Sequence, residues 1–144
     1  CYRYTRQLKY LEQAEAAYEF VCTHPNLPED LIPYWDFDAV NIPHELRDAS
    51  AAAIMAAALY ELSMYSNKAK YKETADKVMH SLSSSDYRSK IGENHNFLLM
   101  HSVGSYPHGS EIDVPLIYAD YYFLEALKRK RDCDIEAKSK SVQK

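Results

Sequence analysis

Two short stretches carry the side chains best suited to chemistry. The first, "YWDFDA" at 34–39, sets the chain's single tryptophan, Trp35, beside the alternate acids Asp36 and Asp38. An indole packs on the apolar face of a sugar ring, and carboxylates spaced this way can line a sugar site or hold a cation. The same acids can instead bond their own backbone two residues on and make local turns, with Trp35 filling a gap. Of the three, Trp35 is the candidate for substrate contact. The second stretch, "HSVGSYPHGS" at 101–110, crowds His101, Ser102, Ser105, Tyr106, His108 and Ser110 around Gly104 and Gly109. Glycine permits the tight turns such a loop needs. A lone histidine is usually structural, but two in one glycine-containing loop beside serines point to binding. Four other residues have simpler readings. Asp48 caps a helix, worth about 1 kcal/mol. Arg47 forms an ion pair with Asp36 or Asp38. Asp113, which follows Glu111, serves the start of the last helix, and Asp120 is paired within a helical wall.

The elements that must position these residues follow from composition and spacing. A chain of 144 residues makes one ordinary domain with a real core. Its 17 basic and 21 acidic residues give a net charge of −4, without the basic footprint of a nucleic-acid binder. No apolar run reaches the ~18 residues of a membrane span. Nucleic acid and membrane are therefore not expected partners. Tyrosine outnumbers phenylalanine 13 to 4, which suits walls that are dry behind and polar in front and equally suits helix packing. Cys1, Cys22 and Cys133 form no CxxC pair, so neither a disulfide framework nor a zinc site is expected. The chain does not open with methionine and shows no signal peptide. It begins inside what reads as helix, and its true N-terminus is expected upstream.

With only three glycines and little strand-like alternation, helices should dominate. Leu8–Cys22 carries Leu8, Leu11, Ala14, Tyr18, Val21 and Cys22 at helical spacing, and His24-Pro25 ends it. Asp48 or Ser50 caps the next helix, which runs to about Met64. A third spans 68–82, with Tyr71, Ala75, Val78, Met79 and Leu82 on one face. Phe97 to His101 is a short apolar piece of open type. Pro115 stands at the start of the last helix, where a missing N–H costs nothing, and that helix ends in cations. The spacing thus predicts a domain over 1–131 and a polar, disordered tail over 132–144.

"KYLEQA" at 9–14 returns as "KYKETA" at 70–75, a sign of repeated helical hairpins. The extra length lies in two loops, 24–47 and 102–113, each placed before the same kind of helix. Both should sit at one end of the stack and form a single face, where sites gather on rigid scaffolds. "ASAAAIMAAAL" is apolar nearly all round and must be buried on most sides. An inner layer of such helices sheathed by amphipathic ones is an all-α, (α/α) toroid, and this chain holds about half of one.

"PYWDFDA", "RDASAAA", "HSVG" and "GSEIDVPLIYADYYFLEAL", with the opening "CYRYT…KYLEQA", resemble the C-terminal part of bacterial unsaturated glucuronyl hydrolases from Cys1 to about Leu127. The resemblance implies about half of an (α/α)6 barrel. It implies removal of a 4,5-unsaturated uronic acid from the non-reducing end of lyase-generated oligosaccharides of glycosaminoglycan type. An aspartate would protonate the vinyl ether while water adds, without metal or organic cofactor, unlike the two-carboxylate glycosidases. In the family these aspartates and a Gln/Trp/Arg segment lie upstream of what Cys1 begins, so no catalytic residue is expected here and the chain alone should be inactive. The partners implied are an unsaturated uronyl oligosaccharide and either the missing half of the barrel or a second copy of the chain. The compartment would be bacterial cytoplasm or periplasm. Members that act on sulfated substrates carry Ser-x-x-Ser-x-Lys in the second loop. Ser105 matches the first serine, while His108 and Ser110 replace the second serine and the lysine, which puts sulfate preference in doubt. The substrate-binding set is therefore Ser105, Tyr106, His108, His101, Ser110 and Trp35. Two rival readings are a rhamnogalacturonyl-type unsaturated hydrolase and a non-catalytic helical-hairpin scaffold that binds protein partners.

Overall fold

The computed structural model describes residues 1–66 and 68–142. A single helical turn, α1 (Tyr2–Thr5), is broken by Arg6 in the left-handed region before α2 (Leu8–Cys22) begins. Then come α3 (Ala49–Tyr65), α4 (Lys70–Leu82) and α5 (Ile117–Val142), with short 3-10 turns at Asn94–Asn96 and Tyr106–His108. Among the described residues no strand forms; the loops carry isolated bridges such as Tyr34 to Arg47 and Ser102 to Val114. No described helix is long and apolar enough to cross a membrane.

The alanine-rich helix is the centre of the molecule. Asp48 starts α3 by accepting from the Ser50 N–H at 3.0 Å, which satisfies one of the free donors of the first turn. Ala49, Ala52, Ala53, Ala56 and Tyr60 are fully buried. Small side chains let neighbours approach closely, and α3 packs chiefly on α5 and α4. From α5 come Ala119, Phe123 and Ala126, at spacings of four and three that define one face. From α4 come Tyr71, Ala75, Val78, Met79 and Leu82, the five residues its period predicts.

The amphipathic reading of α2 meets a different outcome. Its bounds are as the sequence predicts, yet none of its residues is buried. Leu8 and Phe20 are each 64% exposed. Part of its apolar side meets α3, with Leu11 and Tyr18 packed against the core, and Tyr18 stands edge-on to Tyr71 of α4 at 4.8 Å; the burial stays partial.

The segment expected to be a disordered tail from Asp132 onward is instead a continuation of α5 to Val142; residues 143–144 lie outside the described residues. The correction has a local cause. Lys128 pairs with Asp132 at 2.9 Å and Lys130 with Asp134 at 3.2 Å, both one helical turn apart. Lys72 on α4 also reaches Asp134 at 3.0 Å, so the helix is tied sideways as well as along its axis.

A candidate carbohydrate-binding face

The loop between α2 and α3 is built from its own side chains. Arg47 forks onto both oxygens of Asp30 at 2.8 Å and donates to the Ile32 carbonyl. Tyr87 donates to the same Asp30 at 2.9 Å, and burial together with that bond pushes its hydroxyl pKa up. Arg47 therefore does pair structurally, but with Asp30 and not with Asp36 or Asp38 as expected. With Nη2 on both carboxylate oxygens and Nη1 on the Ile32 carbonyl, the guanidinium is fixed in orientation as well as paired in charge. It pins the stem of the loop, where Trp35 N–H donates to Leu46 and Asp48 N–H to Pro33. Asp36 accepts from the Asp38 N–H at 2.9 Å, the local turn its residue type favours.

The second loop is a narrow hairpin. Ser102 and Val114 exchange two backbone bonds, Gly104 N–H donates to Glu111, and Ser110 N–H to Ser105. Gly104 lets the Glu111 side chain lie close over the backbone; a Cβ there would meet the Glu111 carboxylate and push it aside. The tip turns through Tyr106–His108 and closes on Gly109 at φ 66°, a conformation glycine adopts without strain. Ser105 Oγ and His108 Nδ1 are 2.9 Å apart across this turn. At the base, His101 Nδ1 and Asp113 Oδ1 are 2.7 Å apart, so Asp113 closes the hairpin and does not serve the helix start. That start lies at Ile117. Asp120 accepts from the backbone N–H groups of Leu98 and Leu99 at 2.8 and 3.0 Å, and ties the apolar piece 97–101 to α5.

The two loops meet at their aromatic residues. Trp35 and Tyr106 stack with centroids 4.1 Å apart and planes 14° from parallel. The indole N–H donates to Glu45 Oε2 at 3.0 Å, while Glu45 Oε1 accepts from the Asn41 N–H. The indole bond holds the Glu45 carboxyl below the usual carboxylate range. A second stack, His24 on Phe37 at 4.3 Å and 21°, stands nearby. Trp35, Phe37, His24, Asp36, Asp38 and Ile54 all border one open cavity of about 630 Å³. Aromatic faces beside free carboxylate oxygens suit a polyhydroxylated ring, with hydroxyls donating and C–H faces stacking.

Of the candidate residues, Trp35 and Tyr106 are brought into contact, and Ser105, His108 and Ser110 share the tip behind them. His101 stands apart, bordering a smaller cavity of about 240 Å³ with Arg47, Tyr87 and Asp113. Ser102 is fully buried, its Oγ without a partner among the described residues, so it belongs to the core. Sequence reasoning missed Glu45 and His24. Glu45 lies ten residues from the indole it holds, a separation with no periodic signature, and His24 reads as a helix terminator. No three His, Cys, Asp or Glu side chains gather as a metal would require among the described residues.

An inner helix of small residues with sheathing helices and one loop-built end defines the class: an all-α, (α/α) barrel fold. The chain belongs to the unsaturated glucuronyl hydrolase family and matches a part of its members. It is 51% identical over 131 residues to an unsaturated glucuronyl hydrolase of Formosa agariphila, covering 91% of this chain and 33% of that one. It superposes with a TM-score of 0.90 and 48% identity on an unsaturated glucuronyl hydrolase specific for heparin, over 92% of this chain and 36% of that one. A Streptococcus agalactiae unsaturated glucuronyl hydrolase variant complexed with dGlcA-GalNAc6S superposes at 0.78 with 28% identity, over 89% and 34%. The chain thus spans about a third of the length of the relatives it matches. No protein-family model matches it.

Proposed function

We propose that this chain supplies one wall of the sugar site of an enzyme that removes 4,5-unsaturated uronate from lyase-generated glycosaminoglycan-type oligosaccharides. The observation that carries this reading is the superposition at 0.90 over 92% of the chain on a heparin-specific unsaturated glucuronyl hydrolase. The loop face agrees with it in chemistry, since it offers stacked aromatics and acceptor oxygens at the end of the helical stack. The reaction is vinyl-ether hydration. A proton adds to C4, water adds to C5, and the resulting hemiketal opens and releases the aglycone sugar. The general acid belongs to the part of the relatives that this chain does not match. Here Trp35 and the 101–110 loop bind and orient the sugar. Ser110, where the sulfate-active pattern has lysine, leaves no fixed cation on that loop to favour a sulfate.

The test is loss of the near-ultraviolet absorbance of an unsaturated heparin or chondroitin disaccharide. It should be followed with the chain alone and with the chain joined to the complementary segment of the protein. The joined protein is expected to be active and the chain alone silent. Turnover by the chain alone would overturn the assignment of the chemistry elsewhere. Silence of the joined protein on every unsaturated disaccharide would overturn the substrate.

A further inference from the structure

We propose that Glu45 and Tyr106 are positioning residues that act on the sugar through Trp35: one pins the indole by its N–H edge, the other backs one of its faces, and the indole so fixed is the platform for one sugar ring. This rests on the function proposed above. Trp35 borders the 630 Å³ cavity while Tyr106 does not, although the two rings are only 4.1 Å apart. Tyr106 therefore covers part of the indole from the side away from the cavity, and what it leaves uncovered faces the space a ligand would fill. Glu45 is fastened in turn by the Asn41 N–H. It faces the smaller cavity, with Arg47, Asp86, Tyr87, His101 and Asp113 around it, and not the Trp35 cavity. Neither residue reaches the ligand space, yet each removes a freedom of the ring that does. An indole held at edge and face loses little rotamer entropy on binding, which is the gain of preorganisation. The 101–110 loop then influences the sugar through its rear contact with Trp35, in addition to anything its polar tip touches.

Trp35 is the only tryptophan in the chain, so its emission reports the platform without a background. In the chain itself, Tyr106→Ala and Glu45→Ala should each raise quenching of Trp35 by acrylamide at least about twofold and shift its emission, with the helical circular dichroism unchanged. Tyr106→Phe keeps the ring, and Glu45→Gln keeps an acceptor; both should restore protection. Unchanged quenching in both alanine variants would overturn the proposal. In the joined enzyme, Tyr106→Ala and Glu45→Ala should raise KM up to about tenfold with little change in kcat. Once Trp35→Leu is present, either substitution should add nothing further, because residues acting through one partner are not additive. Additive losses in that background would mean that Tyr106 or Glu45 meets the substrate directly and would overturn the positioning role. The two proposals fail separately. An active joined enzyme whose KM is unchanged by Trp35→Leu sinks the platform alone. Quenching of Trp35 emission in the chain alone by saturated sugars such as cellobiose, with the joined protein inert to unsaturated ones, sinks the proposed reaction and leaves the platform standing.

Discussion

Asp120 shows how far residue type alone can be read. An aspartate between tyrosines in "YADYYF" suggests a paired group in a helical wall, and it is paired, but with backbone and not with a side chain. Its two oxygens accept from Leu98 and Leu99, and Leu99 is fully buried. Replacing it by alanine strands two donors at a site that water reaches poorly. Asp120→Ala should therefore cost about 1–3 kcal/mol, read as a lower urea midpoint with an unchanged slope. An unchanged midpoint would mean water replaces the carboxylate. The same limit applies to Arg47. Its tendency to pair was legible in "ELRDAS", but its choice of Asp30, 17 positions away, was not, because the chain between them folds into a loop whose path no local rule dictates. At the candidate site the sequence marked Trp35 and Tyr106 separately. Their contact follows from two loops being brought to one end of the stack, which only the repeat hinted at.

At the scale of elements, what was legible is what depends on period and small size. The five buried residues of α4 recur every three or four positions, and the alanine run of α3 has no polar face to turn outward. What was not legible depends on partners. The apolar stripe of α2 predicts burial that its described neighbours supply only in part, and the polar end of α5 reads as unfolded because cross-helix ion pairs leave no trace in composition. That end is held by a network centred on Asp76 of α4. It accepts from Tyr60 at 2.6 Å and pairs with Lys72 at 2.8 Å and Lys130 at 2.9 Å. Burial alone would raise its pKa, but Lys72, Tyr60 and Lys130 outweigh burial and bring it down to about 2. A carboxyl whose folded pKa is depressed stabilises the fold above its ordinary value of 3.8 and stops doing so as pH falls toward 2. Thermal melts should therefore show stability falling between pH 4 and 2, with a shallower fall in Asp76→Asn. Parallel curves would exclude Asp76 as a contributor. The start of α3 offers a second check. Asp48→Ala removes the cap on Ser50 and the acceptor for the Val103 N–H, and should cost about 1–2 kcal/mol.

On the scale of the whole molecule, the two flanks of the stack carry apolar surface that a closed ring would cover. On α5, Ile117 is 72% and Tyr121 60% exposed, and Leu124 continues the same stripe. On the other flank an apolar groove between α2 and α3 sets Ala14, Ala17 and Ala58 among Tyr18, Val21, Met55 and Leu62. The three alanines leave room for a large side chain to enter. One flank thus offers a ridge of large side chains and the other a furrow that can take them, complementary surfaces of the kind helices use to pack. In a second copy turned about a two-fold axis, each ridge would meet the other's furrow, and the contact would close without growing further. The expectation is that the chain alone associates reversibly at tens of micromolar, seen as a concentration-dependent mass in sedimentation. Tyr121→Glu with Leu124→Lys should weaken that association without altering helix content, because both positions already face water. The complementary segment, added in trans, should compete with self-association by covering the same flanks. A monodisperse monomer at high concentration, with no binding of a hydrophobic dye, would show that these faces need no cover. Strong association unmoved by the paired substitution would place the contact elsewhere.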